Sequence, residues 1–326
     1  MTIQNTRRQR YLDESSFSDN SEILGVGITL ALENLARKNL IPSAPSSLCW
    51  QAASNTLQIV LLDYTAGRPI SDLRAQMPAL IERFDTYLAQ EKSPRSEDPP
   101  RNVADTLEIT QIDAYVYVLW LLALCKLLKH EEFASKVMNW VDKTFQYNRG
   151  RDKLFENVVQ ALTGKHVGGA NRLFHENPYK PLAEATDALP EDRAALVKQF
   201  VTSWYKGMKN TYWHGAHTGG IYFGYWCLEA ALVTILFDID DSSYRDHLVY
   251  PKDLVDWYRA NTEPSHKNAA PFRAPLRAEP GQPCPRSGEW FSPFLKKTVH
   301  VNKGEPMPGP DKDKTGNSVI WYLRDE

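Results

Sequence analysis

Through most of the first 260 residues, apolar side chains recur every three or four positions, which is the spacing of amphipathic α-helices. Residues 107–128 are apolar on nearly every side, which predicts a helix at the centre of a bundle. The amphipathic row is most regular between residues 70 and 88. The same periodicity predicts helices over residues 21–40, 48–64, 70–88, 107–128, 131–147, 152–162, 192–208, 221–237 and 251–258.

Proline and glycine divide this pattern into parts. Three prolines between residues 91 and 101 predict a surface linker, and turn formers between 163 and 181 predict a connection between two helical halves. After residue 260 the helical period ends, and this tail holds ten of the 21 prolines beside β-prone patches at 289–291, 298–301 and 318–323. We therefore expect a mainly α protein with a bundle-like helical body and a small Pro-rich, strand-bearing C-terminal extension. Its predicted parts are a polar N-terminal arm, two helical halves and the extension, over residues 1–20, 21–165, 166–260 and 261–326.

The composition is that of an ordinary globular protein, with 42% hydrophobic and 24% charged residues. The formal net charge of -2 shows no basic surplus, so direct nucleic-acid binding is not expected. The first ten residues are polar and basic, and no apolar segment follows them, which predicts a cytoplasmic protein without a secretory signal. Residues 114–125 are too few to span a membrane and residues 219–237 contain Glu229, so no membrane span is expected.

The densest group of chemically active side chains lies between residues 204 and 258. His214, His217 and Glu229 are of the types that transition metals prefer as ligands, so a metal-dependent hydrolase is one interpretation. The two histidines lie in a Gly-rich segment without a carboxylate at ligand spacing, and Glu229 lies among aromatic and aliphatic residues. A buried carboxylate held by a donor such as an Arg or a Trp N–H is therefore favoured at Glu229. No catalytic residue, metal or cofactor is predicted.

A turn rich in aspartate follows the helix predicted over 221–237. Six acidic and three basic residues between positions 238 and 259 give a local charge of -3. Complementary charge speeds the encounter of two proteins, so this turn is a candidate docking site for a basic partner such as a nuclease. Solvated carboxylates that cap the local backbone are the alternative. The predicted contacts are Asp238, Asp240, Asp241, Asp246 and, as an aromatic anchor, Tyr244.

Short motifs rich in aromatic residues occur between positions 204 and 255. They consist of Trp204, Tyr205, Tyr222, Gly224, Tyr225, Trp226, Glu229, Ala230, Ala231, Asp240, Asp241, Ser242, Tyr250, Pro251, Lys252, Asp253, Leu254 and Val255. Through these residues, and less specifically through residues 62–67 and 119–128, the chain resembles polymorphic-toxin immunity proteins of the PoNi-like type, found beside type VI secretion effectors. The tail is similar to an extension carried by some related immunity proteins, through residues 284–290, 304–308 and 320–321.

The resemblance implies an all-helical fold, no enzymatic activity and tight binding to a cognate toxin made in the same cell. The implied toxin is a nuclease, such as a DNase, which the immunity protein neutralises by occlusion during bacterial competition. The family offers no catalytic residues to transfer, and the shared motif residues are expected to be structural. A scaffold protein without a toxin partner is a further alternative, and the sequence does not set the oligomeric state.

Overall fold

The computed structural model describes residues 2–37, 44–90, 107–143, 145–165, 167, 170–262, 276–292, 295–312 and 319–324. The mainly α fold is confirmed, together with a small sheet near the C-terminus. Short 3-10 helices lie at Glu131–Phe133 and Ala216–Thr218. The α-helices are α1 (Ile3–Thr6), α2 (Glu14–Leu35), α3 (Ala44–Ala66), α4 (Ile70–Gln90), α5 (Ile112–Leu127), α6 (Ala134–Asp142), α7 (Phe145–Asn148), α8 (Lys153–Thr163), α9 (Glu176–Asp187), α10 (Pro190–Gly207), α11 (Leu228–Leu236) and α12 (Lys252–Ala260).

Helix α5 forms the centre of the helical body, as its apolar sequence predicts. Every side chain from position 114 to 125 is buried, and α5 packs against α6, α11 and α12. Helix α3 packs between α2 and α4, and α9 packs along α10. One hydrophobic cluster therefore includes residues of both helical halves. No helix in the described ranges is long and apolar enough to cross a membrane.

Helix α2 begins at Glu14, seven residues before its predicted start. Its first turn is capped by Asp13, whose carboxylate accepts a hydrogen bond from the Ser16 backbone N–H at 2.8 Å. The segment before the helix is fastened through Gln9, a buried residue. The Gln9 side-chain amide donates to the carbonyl oxygens of Tyr225 at 2.6 Å and Leu248 at 2.9 Å. The N-terminal residues thus bind the backbone of the C-terminal helical half.

Helix α9 begins inside the segment that was predicted to be a connection over 163–181 and continues to Asp187. Asn177 has non-helical backbone angles, so the regular helix begins at Pro178. Pro178 and Pro181 both fall among the first four positions, whose N–H groups have no intrahelical partner. Proline therefore costs no hydrogen bond there, and the buried side chains of Tyr179 and Leu182 anchor the helix.

Residues 221–227 are irregular, although a helix was predicted over 221–237. Gly224 in this segment has a φ of +108°, which is unfavourable for any residue with a Cβ. The Cys227 backbone N–H donates to the Val249 carbonyl at 2.9 Å, so the segment pairs with the chain that leads into α12. Helix α11 consequently begins only at Leu228.

Other predicted helices differ in extent from those observed. Helix α5 begins at Ile112, five residues after its predicted start, and α3 begins at Ala44, four residues before its predicted start. The helix predicted over 131–147 is divided into a 3-10 turn, α6 and α7. The first predicted helix ends early, because α2 stops at Leu35. Parts of the predictions lie outside the described residues. They are the linker 91–101, residues 38–40 of the first predicted helix, residue 144 of the helix predicted over 131–147, residues 166, 168 and 169 of the predicted connection, and residue 318 of the last β-prone patch.

The extension forms a four-stranded antiparallel sheet, built from β1 (Arg277–Ala278), β2 (Gly288–Ser292), β3 (Lys297–Val301) and β4 (Trp321–Leu323) in the order β1-β4-β2-β3. The three β-prone patches of the sequence became β2, β3 and β4, and β1 was not predicted. The sheet has its own hydrophobic cluster around Trp290 and Trp321. It meets the helical body through Asp187, which accepts from Arg277 Nε at 3.0 Å and from Lys153 Nζ at 2.6 Å.

Candidate functional site

The aromatic motif residues of the C-terminal half line the core of the body. Trp204, Tyr222, Tyr225, Trp226 and Tyr250 are buried, as is Pro251, and Tyr205 is half-buried. Their polar atoms point into hydrogen bonds: the Trp226 indole N–H donates to Thr65 Oγ1 at 2.8 Å. Asp253 pairs with Arg8 Nε at 2.5 Å. The buried rings support the fold and offer little surface to a partner.

Glu229 is the most enclosed carboxylate of the motif, with 1% of its surface exposed. The indole N–H groups of Trp120 and Trp204 donate to it at 3.1 and 2.6 Å, and the Tyr179 hydroxyl donates at 2.9 Å. The ring of Trp213 packs against both tryptophans, with ring centroids 5.6 and 5.5 Å away. Burial raises the pKa of Glu229 above its ordinary value, and the three donors oppose that shift.

The two histidines of the hydrolase alternative contact residues other than Glu229. His217 is exposed, and its Nδ1 lies 2.7 Å from the Tyr225 hydroxyl. His214 is stacked on the ring of Tyr205 at 4.3 Å. Within the described ranges, no three residues of the types His, Cys, Asp and Glu are placed so that they could share a metal ion. His214, His217 and Glu229 therefore do not assemble into a metal centre here.

The acidic turn has a buried part and an exposed part. Asp241 is 2% exposed, and its carboxylate accepts from Arg259 at 2.8 Å, from Arg245 at 3.2 Å and from the Tyr250 hydroxyl at 3.2 Å. The ring of Tyr244 is buried as well, and its hydroxyl lies 2.9 Å from Thr234 Oγ1. These two side chains hold the turn in shape and present little surface to a partner.

The exposed carboxylates of the turn are Asp238, Asp240 and Asp246. Asp240 accepts hydrogen bonds from the backbone N–H and hydroxyl of Ser242, which lower the pKa of Asp240. Asp246 lies 2.8 Å from Lys252 Nζ, and this contact lowers the pKa of Asp246. Asp240 and Asp246 therefore carry full negative charge at neutral pH on the outer side of the turn.

A second surface, which the sequence analysis did not single out, lies on α2. Ile23, Val26 and Leu30 form one exposed row on this helix, with 52%, 49% and 50% of their surfaces accessible. Asp19 and Glu33 continue the same row at either end, because positions 19, 23, 26, 30 and 33 are spaced by three or four. No Lys or Arg occurs between residues 11 and 36. This spacing is visible in the sequence, but the sequence does not show that Leu24 of the same helix is buried while these three residues are exposed.

A third surface feature is the exposed ring of Tyr212, with 57% of its surface accessible. Its hydroxyl is bound below the surface by the Tyr117 hydroxyl and, at 3.0 Å, by the side-chain amide of Gln58. Two clefts of about 450 and 350 Å³ flank this ring, and Gln58 and Tyr212 line both. No sequence motif indicated this feature, because its lining comes from α3, α5 and the segment after α10.

Comparisons with known proteins agree with this architecture. The structure of protein PA2201 from Pseudomonas aeruginosa is similar, with a TM-score of 0.58 and 18% identity over 79% of this chain and 92% of that one. At this identity the likeness shows the fold alone. No curated protein matches the chain.

Two family models match long segments of the sequence. Residues 11–140 match the model of the N-terminal part of the PoNe immunity protein (PoNi). Residues 150–254 match the model of the C-terminal part of the same proteins. The matched segments include α2 to α5 and the aromatic motifs up to Asp253, and together they make up well over half of the chain. The chain therefore belongs to the family of PoNe immunity proteins.

Proposed function

We propose that this immunity protein neutralises a nuclease toxin of a type VI secretion system by binding over the toxin's active surface in the cytoplasm. Family membership supports a toxin as the partner. The observation that carries the proposal for this chain is the exposed apolar row on α2 with carboxylates at both ends. A contiguous exposed apolar patch bordered by polar residues is typical of a protein-binding surface.

Charge indicates what kind of protein the α2 row accepts. Asp19, Glu22 and Glu33 surround the three apolar side chains, and no basic residue of the helix offsets them. A nuclease needs a cationic surface to hold the phosphate backbone of its substrate. An acidic helix face fits such a surface and would speed the encounter of the two proteins. A second copy of this chain fits less well, since two such faces would bring carboxylates together.

Co-purification with the product of the adjacent gene, together with rescue of growth in cells that make that toxin, tests this proposal. We expect the wild-type chain to bind and to rescue. Val26→Lys places a charge in the centre of the apolar row, and a buried interface centre tolerates such a change poorly. We expect at least about thirtyfold weaker toxin binding. The fold should be unaffected, because Val26 is half-exposed on a helix surface.

Ala195→Lys is the matched control, because Ala195 is an exposed apolar residue on another helix, α10. Binding by wild type and by both variants alike would remove the α2 row from the interface and leave toxin neutralisation standing. Absence of binding and rescue by the wild type would overturn the proposed function for that partner. If the wild type is a dimer and Val26→Lys is a monomer, the row would instead be assigned to self-association.

The acidic turn is a second candidate surface for the same partner, through Asp238, Asp240 and Asp246. Neutralising two of these charges in Asp238→Asn/Asp240→Asn keeps the side-chain shapes and the acceptor for Ser242. We expect the rate of association with a basic toxin at low salt to fall about tenfold if the turn faces the partner. Glu191→Gln/Asp192→Asn on α10 removes the same charge elsewhere. If the two double variants associate with the toxin at equal rates, the carboxylates of the turn only cap the local backbone.

A further inference from the structure

The smaller cleft beside Tyr212 has an unusual lining for a protein surface. Aromatic rings form its walls: those of Trp50, Tyr117 and Tyr212. The Trp50 and Tyr117 rings lie with centroids 5.5 Å apart and planes tilted by 50°. The polar lining comes from Ser54, Gln58 and Asp113, and none of the described residues that line the cleft is Lys, Arg or His. Its volume of about 350 Å³ holds one long side chain.

Asp113 is the carboxylate that the described residues contribute to this lining. It stands in the first turn of α5, where the Tyr212 backbone N–H acts to lower its pKa. Its Oδ1 atom is buried and has no hydrogen-bond partner among the described residues, and no salt bridge to Asp113 occurs among them either. Burial raises the pKa of Asp113 above its ordinary value. A half-buried carboxylate without a cation is costly, and a cation placed beside it would relieve that cost.

The lining therefore selects a ligand by charge and by shape. Aromatic faces attract ammonium and guanidinium groups, and the attraction is stronger where water is excluded. A carboxylate in the lining of an aromatic cleft repels anions, and an apolar group would leave that carboxylate unmatched. A long side chain with an aliphatic stem and a cationic head, that is Lys or Arg, satisfies both the walls and Asp113.

We propose that this cleft binds a Lys or Arg side chain of the toxin, with Asp113 as its counter-ion and Trp50, Tyr117 and Tyr212 as its walls. The inference rests on the proposed function, since it names the kind of toxin side chain that the immunity protein captures. The Tyr212 ring is exposed, and its hydroxyl contacts with Tyr117 and Gln58 hold it in place. Such a ring loses little conformational freedom on binding, and this makes it an effective contact. The cleft also neighbours α2, because Asn55, which lines the adjoining cleft, donates to the Leu24 carbonyl at 3.5 Å.

Asp113→Asn tests the proposal, because it removes the charge and keeps an acceptor for the Tyr212 N–H. We expect its affinity for the purified toxin, measured by calorimetry, to be at least about tenfold weaker than that of the wild type. Asp192→Asn is the matched control, because Asp192 is an exposed carboxylate in the first turn of α10. It should bind like the wild type. The Lys and Arg residues of the toxin can also be substituted one at a time. We expect one of these substitutions to weaken binding to the wild type but not to weaken binding to Asp113→Asn any further.

The Tm of the free protein separates this proposal from its main rival. If no cation of this chain occupies the cleft, Asp113→Asn leaves the Tm unchanged or raises it. A lower Tm for Asp113→Asn than for Asp192→Asn would place a basic side chain of this chain in the cleft and overturn the proposal. Toxin binding that Asp113→Asn leaves unchanged would overturn it as well, while the proposed function would stand. No binding by the wild type would overturn both.

Discussion

Glu229→Ala is expected to lower the free energy of unfolding by at least about 3 kcal/mol. The substitution leaves three buried donors without an acceptor: the indole N–H groups of Trp120 and Trp204 and the Tyr179 hydroxyl. Each unsatisfied buried donor costs about 1–3 kcal/mol, and the missing side chain adds a cavity. Chemical denaturation followed by tryptophan fluorescence measures the loss. The loss is a large part of the stability of an ordinary domain, about 5–15 kcal/mol.

Glu229→Gln is the control for this effect, because it keeps the volume and one carbonyl acceptor. Its carbonyl oxygen still accepts a hydrogen bond, so we expect a smaller loss than for Glu229→Ala. The loss is not zero, because its amide NH₂ faces one indole N–H, which is also a donor. The pKa of Glu229 is raised in the folded protein, so the wild type's advantage over Glu229→Gln is greatest below pH 4.5 and decreases as pH rises above it. A loss below about 1 kcal/mol for Glu229→Ala would contradict the hydrogen-bond network as a source of stability.

Gly224→Ala is expected to destabilise the protein by about 3 kcal/mol or more. A Cβ at this position would lie 2.1 Å from Thr65 Oγ1 and 2.3 Å from Trp226 Nε1, inside the hydrogen bond that joins these two atoms. Neither group can move freely, because Thr65 also lies 2.7 Å from the Phe223 carbonyl and Trp226 is buried. Thermal unfolding and denaturant titration should both show the loss.

Gly215→Ala separates steric overlap from backbone strain. Gly215 also has a positive φ, +82°, but a Cβ there would meet nothing within 4 Å. We expect it to cost about 1–2 kcal/mol, from the backbone conformation alone. Equal losses for the two glycine variants would mean that the contact of Thr65 with Trp226 relaxes without cost, and that the close approach of the two chain segments at Gly224 is not needed.

The elements that the sequence predicts well are those whose pattern is complete within one helix. Helix α4 begins at Ile70, as its row of apolar residues predicts, and α5 is buried on all sides because it has no polar face. Helix α9 could not be predicted, since two prolines near its start are typical of a connection. Residues 221–227 were predicted as helical from their apolar content, but they are irregular, and the Cys227 N–H bonds to the distant Val249 carbonyl instead of a helical partner.

The candidate site shows the same limit. A buried carboxylate at position 229 was predicted from its apolar neighbours, and the structure has one. Its donors Trp120 and Tyr179 are 109 and 50 residues away in sequence, so no local pattern names them. The charge of the acidic turn was visible, but the burial of Asp241 depends on Arg259, 18 residues later. The cleft beside Tyr212 brings three separate segments together and leaves no local signal.

The contacts of Gln9 can form only late in the protein's synthesis. Its side-chain partners include the backbone of Leu248, 239 residues later in the chain. At a ribosomal rate of about 5–20 residues per second, roughly 12–50 s separate the appearance of these two residues. The first segment must therefore wait in an incomplete state until most of the chain has been made. A cell that starts to produce the protein when the toxin arrives has a completed molecule only after that delay. Protein made before the toxin arrives avoids the delay.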